Sequence, residues 1–338
     1  MNSTDNFYDV VVIGGGPAGL GAATTLARSL RTVLVIDGGE PRNAKADGAH
    51  NLLGNEGISP LELLAKGRRE AEHYGAQIKS GSVAAVRRDT DGFEVDFTDG
   101  HTVNCRRLVL ATGLIDELPD IPGVAELWGS SVLHCPYCHG WEVRGRKLGV
   151  LGTGAMSVHQ TLLFRQLSDN VTLFLHEMPE PSESEWLQLA ALNVSVVQGR
   201  ITQLVIEDGT LRGVEVAGGR RFDVEAVTVM PRMVARADVY ELLGGKLSDH
   251  MSGGLYVATD EMGRTDIEGV WAAGNVTDLS ATVGSSAAGG MKAAAAINFD
   301  LISSDAQAAV KARAASFSRE IEAAVTTRIL GDRRHGVH

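Results

Sequence analysis

Two cysteines three residues apart, each with a histidine on its outer side, form the most reactive pattern in this 338-residue chain. The segment reads His134-Cys135-Pro136-Tyr137-Cys138-His139. In the first turn of a helix, thiols at i and i+3 point the same way and the helix N-terminus favours the thiolate, so a short-loop disulfide can open and close reversibly. An imidazole titrates near neutrality and can move a proton to or from a substrate thiol. Cys135 and Cys138 are therefore candidate redox residues, and His134 and His139 are candidate acid–base residues.

Zinc binding is an alternative for these four side chains, and a purely structural cysteine pair is another. Residues that are adjacent in sequence rarely converge on one tetrahedral ion, and real sites usually bring a second pair of ligands from far away. The spacing therefore favours redox chemistry, and no metal site is predicted. The third cysteine, Cys105, leads into an apolar run and is expected to be a small core residue.

A glycine turn near the start of the chain predicts a dinucleotide site. A β-rich apolar run leads into Gly14-Gly15-Gly16-Pro17-Ala18-Gly19, and a helical stretch and a second strand ending at Asp37 follow. In such a βαβ unit, glycines at positions 14, 16 and 19 permit the tight turn, the close approach of a pyrophosphate and close helix–strand packing. Asp37 stands where an acid can hydrogen-bond an adenosine ribose.

The same arrangement returns in the middle of the chain, with the turn Gly152-Thr153-Gly154-Ala155-Met156-Ser157 between two apolar runs. The predicted fold class is therefore α/β, with two Rossmann-like three-layer dinucleotide-binding domains, the second inserted in the first. Residues 1–117 and 247–338 would form the first domain, and residues 118–246, which carry the cysteine pair, would form the inserted one.

Other segments are predicted from their residue patterns. Residues 93–97 and 102–103 alternate as a hairpin around Asp99-Gly100, and residues 114–123, rich in proline and acids, form a linker. Small residues indicate a helix over 287–299, and an apolar spacing of mostly four predicts an amphipathic helix over 306–330. This last helix would pack on its own domain or cover a dimer partner.

Composition limits the kinds of partner. With a net charge of −11 and no run of Lys or Arg, neither nucleic acid nor an anionic membrane surface is an expected partner. No apolar run approaches the roughly 20 residues of a membrane helix, and the polar start lacks a signal-peptide pattern. We therefore expect a cytoplasmic protein that acts on a small molecule or a neutral protein.

The order of these motifs resembles the low-molecular-weight thioredoxin reductase family over nearly the whole chain. The resemblance is carried by both glycine turns, the cysteine pair, Ala111-Thr112-Gly113 and Ala272-Ala273-Gly274-Asn275. It implies a homodimer in which the first domain holds FAD and the inserted domain holds NADPH, with Cys138 against the flavin and Cys135 facing the substrate. Arg42 would be a fixed cation near the pyrophosphate. The residues expected to bind FAD are Gly14, Gly16, Pro17, Ala18, Gly19, Asp37, Gly38, Arg42, Asn43, His50, Val83, Ala111, Thr112, Gly113, Gly274, Asn275, Thr282 and Val283.

Three departures from the reductases change the expected function. Residues 176–185 include four carboxylates and neither Arg nor Lys, so the 2′-phosphate of NADPH would be repelled. Ser157 stands at the third glycine position of the second turn, where helix and strand should approach closely. His139 follows the second cysteine, where the reductases have an aspartate as the acid–base group.

These departures, with the segments 37–43 and 135–142, resemble the dithiol oxidase branch typified by the enzymes that close the disulfides of gliotoxin and holomycin. The resemblance implies an FAD-dependent oxidase that forms an intramolecular disulfide in a natural-product dithiol, as in antibiotic biosynthesis, and reduces O2 to H2O2. Asn275 replaces a family aspartate and Thr282-Val283 replace Arg-Gln, so the contacts around the flavin pyrimidine are expected to differ. Tyr137 and Trp141 would line an apolar substrate pocket or pack in the core.

Two other functions stay open from the sequence. The same fold could serve a thioredoxin-type disulfide reductase fed by NADH or another donor, with Glu177 as the ribose acid. It could also serve a non-enzymatic flavin-binding redox sensor that uses the cysteine pair as its switch.

Overall fold

The first part of the chain alternates buried strands and helices, as its apolar runs and glycine turn predict. The computed structural model of the protein describes residues 6–251, 253–316 and 319–330. In chain order, the elements of the first part are β1 (Phe7–Ile13), α1 (Pro17–Arg28), β2 (Val33–Asp37), α2 (Pro60–His73), β3 (Gln77–Ser80), β4 (Val83–Asp89), β5 (Gly92–Phe97), β6 (Thr102–Leu110) and β7 (Leu114–Glu117).

The middle of the chain carries the cysteine pair and the second glycine turn. Its elements are α3 (Val124–Leu127), β8 (Val132–Leu133), α4 (Pro136–His139), β9 (Leu148–Leu151), α5 (Ser157–Arg165), β10 (Val171–Phe174), α6 (Glu183–Ala191), β11 (Ser195–Val197), β12 (Ile201–Glu207), β13 (Thr210–Val216), β14 (Arg220–Asp223), β15 (Ala226–Val229) and β16 (Arg232–Ala235).

The last part of the chain returns to the first sheet and ends in helices. Its elements are α7 (Asp238–Leu242), β17 (Ser248–Asp249), β18 (Leu255–Tyr256), β19 (Val270–Ala272), a short 3-10 helix (Gly274–Val276), α8 (Val283–Ser316) and α9 (Arg319–Leu330).

The first sheet has the parallel order β3-β2-β1-β6-β19, and the strands β4 and β5 are added to the first half of β6 as an antiparallel hairpin. Side chains alternate between two apolar clusters, so that Val10 and Val12 face α1 and α8 while Val11 and Ile13 face the hairpin and α7. The sheet is therefore the middle of three layers. The predicted hairpin is confirmed, because β5 pairs with β6 from Phe93↔Cys105 onward.

The second sheet is parallel throughout, in the order β11-β10-β9-β15-β8. Helices α5 and α6 cover one face, and the antiparallel sheet β12-β13-β14 covers the other. Strand β9 is buried along its whole length, which explains its uninterrupted apolar sequence. The predicted α/β class, with two Rossmann-like three-layer units, is confirmed.

The chain passes between these two units along two strands that pair with each other. Strand β7 leaves the first unit and lies antiparallel to β16, which returns from the second, with Leu114 opposite Ala235 and Glu117 opposite Arg232. The prediction of a linker over residues 114–123 was therefore wrong for the first four residues. Their backbone groups form hydrogen bonds with β16. The domain boundaries at 117/118 and 246/247 stay a prediction.

The C-terminal helices also differ from the expectation. Helix α8 runs without a break from Val283 to Ser316 because no proline or glycine interrupts the sequence between 299 and 306, where two separate helices were expected. The predicted helix over 306–330 is instead divided between the end of α8 and α9, and Phe317 lies outside the described residues. Val310, Ile321 and Val325 are exposed. Among the described helices, none has the length and apolarity needed to cross a membrane.

Helices α1 and α8 pack against each other at glycines. A Cβ atom at Gly290 would lie 1.9 Å from the carbonyl oxygen of Ala18, whereas a Cβ atom at the neighbouring Gly289 would meet nothing closer than 3.9 Å. Close approach of the two backbones therefore depends on Gly290. Since α1 begins at the first glycine turn, this packing also positions the predicted dinucleotide site.

We expect Gly290→Ala to lower the free energy of unfolding by about 2 kcal/mol, because the methyl group forces α1 and α8 apart. Gly289→Ala is the matched control and should be neutral or stabilising by up to about 1 kcal/mol, since alanine favours the helix. Urea unfolding followed by circular dichroism measures both. Equal stabilities of the two variants would contradict the packing argument.

Candidate functional site

The first glycine turn leaves the N-terminus of α1 open. Gly14 has φ +110°, and a Cβ atom there would lie 2.3 Å from the carbonyl oxygen of Ala111. A Cβ atom at Gly19 would overlap the carbonyl oxygen of Gly14, so helix and turn touch backbone to backbone. A Cβ atom at Gly16 meets nothing within 4 Å, and none of the described side chains caps the helix. The first amides of α1 therefore face open space, as a phosphate site requires.

The predicted ribose acid, Asp37, ends β2 beside this turn. Its Oδ1 accepts hydrogen bonds from the amides of Gly15 at 3.2 Å and Gly39 at 3.3 Å. Its Oδ2 forms an ion pair with Arg68 of α2, a residue that the sequence analysis did not identify. The carboxylate is thus held in a fixed orientation at the edge of the turn.

The segment after β2 reaches from the first unit to the chain crossing. Arg42 donates through Nε and Nη2 to the Asp116 carboxylate of β7, both at 2.7 Å. In this arrangement its guanidinium faces the crossing strand, and its contact with a pyrophosphate stays a prediction. Gly38 lies next to Ser82, and Asn43 accepts a backbone hydrogen bond from Ala46.

The remaining predicted cofactor residues surround the same edge of the first sheet. Thr112, after β6, donates to the carbonyl of Arg236 at 2.6 Å, and Gly113 accepts from the amide of that residue. The Asn275 amide donates to the carbonyls of Asp278 and Ala281, so its donor group already orders the loop before α8. Other members of the set are Ala111 directly after β6, Val83 at the start of β4, Gly274 with φ +81°, Thr282 directly before α8 and Val283 at its first position.

These features fit the dinucleotide part of FAD. The close approach of Gly14 to Ala111, the open helix N-terminus at Gly16 and the oriented acid Asp37 form the cradle that a pyrophosphate and its ribose need. A side chain at position 14 or 19 would close this cradle. The residue-by-residue assignment stays a prediction.

The second glycine turn differs because a side chain of the chain itself takes its amides. Ser157, which is fully buried, accepts hydrogen bonds from the backbone N–H groups of Thr153 and Gly154, both at 3.2 Å. In a nucleotide site, such groups would bind phosphate oxygens. The serine hydroxyl therefore satisfies both amides at once, whereas in the first turn the amide of Gly15, the counterpart of Thr153, donates to Asp37 and a Cβ atom at Gly16, the counterpart of Gly154, meets open space.

The segment after β10 packs onto this second turn. A Cβ atom at Gly152 would lie 2.8 Å from the side chain of Met178, and Nδ1 of His176 accepts the amide of Ile201 at 2.9 Å. Glu177, the alternative ribose acid, pairs at 3.1 Å with Arg200, a cation brought from outside the segment 176–185. Its carboxylate is therefore already engaged in a surface ion pair.

The cysteine pair occupies the N-terminus of α4, as its spacing predicts. Cys135 and Cys138 form a disulfide with their Cα atoms 5.3 Å apart, and Pro136 is the first helical residue. The Cys135 sulfur also accepts the amide of Cys138 at 3.2 Å. A disulfide withdraws both thiolates from metal ligation, and the described residues include no group of three or more His, Cys, Asp or Glu arranged for a metal.

Both flanking histidines have a buried ring nitrogen with no hydrogen-bond partner in the described part of the chain: Nδ1 of His134 and Nε2 of His139. Burial lowers the pKa of His134, Arg42 lowers it further, and Asp116 and the backbone of Val229 oppose this. Burial also lowers the pKa of His139. Both imidazoles are therefore neutral at pH 7 and able to accept a proton.

The charged groups around His139 come from both units of the protein. Glu142 and Asp47 raise its pKa and His50 lowers it, all by less than burial does. His50, predicted to bind FAD, lies 2.8 Å from Glu56 and 3.7 Å from Glu142. In this arrangement its ring therefore faces two carboxylates.

The loop after His50 connects the cysteine pair to the start of α8. The Asn51 side chain donates to the carbonyl of Tyr137, between the two cysteines, at 2.7 Å. The next residue, Leu52, contacts the Cβ position of Gly284, two residues after Thr282. The disulfide helix therefore packs against a loop that also reaches the start of α8, beside the predicted flavin contacts Thr282 and Val283.

The aromatic side chains beside the disulfide lie at the surface. Tyr137 is 71% exposed and Trp141 is 66% exposed, which excludes the core-packing alternative. The guanidinium of Arg144 stacks 3.9 Å above the Trp141 ring. Cys105 is buried in the first unit, so the prediction of a small core residue is confirmed, and burial raises the pKa of its thiol to about 12.

Several site residues had no signal in the sequence. The local sequence around each of them is ordinary. Arg68 of α2 contacts Asp37 across 31 positions of chain. Asp116 of β7 contacts Arg42 across 74 positions, and Asn51, in a loop, contacts Tyr137 across 86. Of these three, only Asn51 lies next to a predicted site residue, His50.

Comparison with known proteins agrees with this geometry. Residues 8–299 match the family described as pyridine nucleotide-disulphide oxidoreductase. The crystal structure of HlmI is 45% identical, with a TM-score of 0.86, over 92% of this chain and 98% of HlmI. Thioredoxin reductase sirT of Leptosphaeria maculans is 29% identical over 92% of this chain and 99% of its own length.

A further relative matches over a shorter stretch. Thioredoxin reductase tcpT of Claviceps purpurea is 43% identical over 181 residues, which are 51% of this chain and 56% of tcpT. These relationships imply a flavin cofactor and confirm the thioredoxin reductase-like architecture. The chain therefore belongs to the pyridine nucleotide-disulphide oxidoreductase family, as a thioredoxin reductase-like disulfide oxidoreductase.

Proposed function

We propose that the protein is an FAD-dependent dithiol oxidase that closes an intramolecular disulfide in a small natural-product dithiol, with O2 as the electron acceptor and H2O2 as the second product. The contrast between the two glycine turns carries this proposal. The first turn has an open helix N-terminus, whereas Ser157 occupies the amides of the second. Electrons would therefore enter through the disulfide rather than from a nicotinamide.

The flanking histidines supply the proton transfers that thiol–disulfide exchange requires. One neutral imidazole accepts a proton from the first substrate thiol, and the resulting thiolate attacks the sulfur of Cys135. The bond between Cys135 and Cys138 breaks, and Cys138 leaves as a thiolate. The second substrate thiol gives its proton to the other imidazole and attacks the mixed disulfide, so that the substrate disulfide forms and Cys135 leaves as a thiolate.

Electrons and protons balance over this sequence. The substrate loses two electrons and two protons, the cysteine pair holds the electrons, and the imidazoles hold the protons. FAD, when bound, supplies an acceptor for the electron pair and a route from it to O2, which takes up both protons as H2O2. Loss of the electron pair from Cys138 restores its bond to Cys135 for the next turnover.

We expect a small dithiol such as dithiothreitol to bleach the flavin absorbance rapidly in anaerobic stopped-flow mixing, while NADH and NADPH leave it unchanged. Cys135→Ser should abolish this bleaching, because the sulfur that the substrate attacks is missing. In air, the wild-type protein should consume one O2 for each dithiol oxidised.

Cys105→Ser is the matched control for this experiment, since the Cys105 thiol is buried and inert, and it should retain the wild-type rate. Rapid bleaching by either nicotinamide would favour the reductase alternative instead. Bleaching by dithiol without turnover in air would favour a redox sensor.

The lowered pKa values of the histidines predict how the rate depends on pH. Since the imidazoles are bases when neutral, the rate of flavin bleaching by dithiol should hold as the pH falls to 6.5 and decline below it, where the imidazoles become protonated. His139→Gln should slow bleaching by about 100-fold, the usual contribution of a general base. It should also reduce this acid decline.

His159→Gln provides the control, because the His159 side chain is exposed on α5, whereas His134 and His139 each have a buried ring nitrogen. It should keep the wild-type rate and pH profile. If His139→Gln and His134→Gln both behaved like this control, the histidines would have no part in proton transfer.

We further propose that the protein forms a homodimer through α8. Phe299, Ile302 and Val310 are exposed apolar residues spaced along one face of this helix, with Phe299 73% and Val310 69% exposed. Light scattering after size exclusion should give twice the chain mass for the wild type. Phe299→Glu with Val310→Glu should give the monomer mass, and a monomeric wild type would contradict the proposal.

A further inference from the structure

A buried amide on α5 contacts the redox segment. The side chain of Gln160 is 2% exposed, and its Nε2 donates to the main-chain carbonyl of His134 at 3.0 Å, across 26 positions of chain. The acceptor atom of the same side chain, Oε1, is buried and has no partner among the described residues. An unpaired buried acceptor destabilises a protein, so fold stability alone does not explain a glutamine at this position.

The peptide that Gln160 holds is the one directly before the disulfide. The carbonyl of His134 and the amide of Cys135 lie in one rigid peptide plane, because the peptide bond does not rotate freely. Fixing the carbonyl therefore fixes the start of Cys135, which caps α4 in an extended conformation with φ −95° and ψ 118°. The same hydrogen bond holds the backbone from which the His134 ring projects.

Helix α5 is itself firmly anchored and touches the redox segment at its other end. At its start, Ser157 accepts the backbone amides of Thr153 and Gly154 and so holds α5 to the second glycine turn. Beyond the disulfide, a Cβ atom at Gly140 would lie 2.4 Å from the side chain of Leu167, which follows α5. The redox segment thus rests on the α5 region both before and after the two cysteines.

We propose that Gln160 is a positioning residue for thiol–disulfide exchange: its amide fixes the peptide between His134 and Cys135, so that α5 supports the redox segment. The proposal rests on the dithiol chemistry proposed above, and it adds a task for the helix that would face phosphate in a nucleotide site. Gln160 contacts neither sulfur in this role. It acts through the orientation of Cys135 and of the His134 ring.

Gln160→Met tests this proposal, because methionine has similar size and lacks the amide donor. The reduced variant should react about fivefold more slowly with iodoacetamide at Cys135, measured by mass spectrometry, as expected when one hydrogen bond of ordinary strength is lost. In turnover with dithiothreitol, kcat should fall by a similar factor while KM stays unchanged.

Thr161→Val is the matched control, because it also removes a buried hydrogen bond from α5 but does not touch the redox segment. It should keep the wild-type alkylation rate and kcat, even if its thermal unfolding midpoint falls. Wild-type values for Gln160→Met, or equal losses in both variants, would overturn the proposal.

If Gln160→Met does not fold, Gln160→Leu also removes the amide donor with a buried apolar side chain, and the same two measurements apply. Slower alkylation and lower kcat in the leucine variant support the proposal, and unchanged values overturn it. Alkylation does not require turnover. A wild-type protein that oxidises no dithiol would therefore refute the proposed function while the alkylation comparison still decides the role of Gln160.

Discussion

The arrangement of the whole site depends on the antiparallel pairing of β7 with β16. These two strands are the passages of the chain between its units, and their ladder runs from Leu114↔Ala235 to Glu117↔Arg232. The ion pair between Arg42 and Asp116 connects the same ladder to the segment after β2. Because both passages are held together, the second unit presents its disulfide helix to the loop containing Asn51.

Local sequence carried most of the information about the fold. The apolar runs of β1, β6 and β9 and the glycines of both turns have few alternatives to buried parallel strands and tight strand–helix connections. The charged contacts of the site could not be predicted in the same way. Arg68 meets Asp37 because α2 packs against α1 and against β3, the neighbour of β2, and a pairing of that kind is decided by tertiary packing rather than by any local pattern.

Ser157 was correctly predicted as a departure from the glycine pattern of the second turn, but the expected physical reason was incomplete. From the glycine pattern alone, this residue is expected to add bulk where helix and strand should approach closely. In the structure, its hydroxyl oxygen accepts the two amides that an anion would otherwise bind, so its hydrogen-bonding capacity matters as much as its volume. The histidines are a similar case: the sequence identifies them beside the cysteines, but their lowered pKa values come from burial, which requires the fold.

The burial of Cys105 sets the electron capacity of the chain. Of the three cysteines in the sequence, Cys105 is buried beneath the hairpin with a pKa of about 12. Only the pair Cys135 and Cys138 can therefore store electrons by opening and closing a disulfide. One protein molecule can therefore store two reducing equivalents on sulfur at a time, with no second couple to relay them onward. Each catalytic cycle can therefore pass only two electrons through this couple before the couple has to return to its starting state.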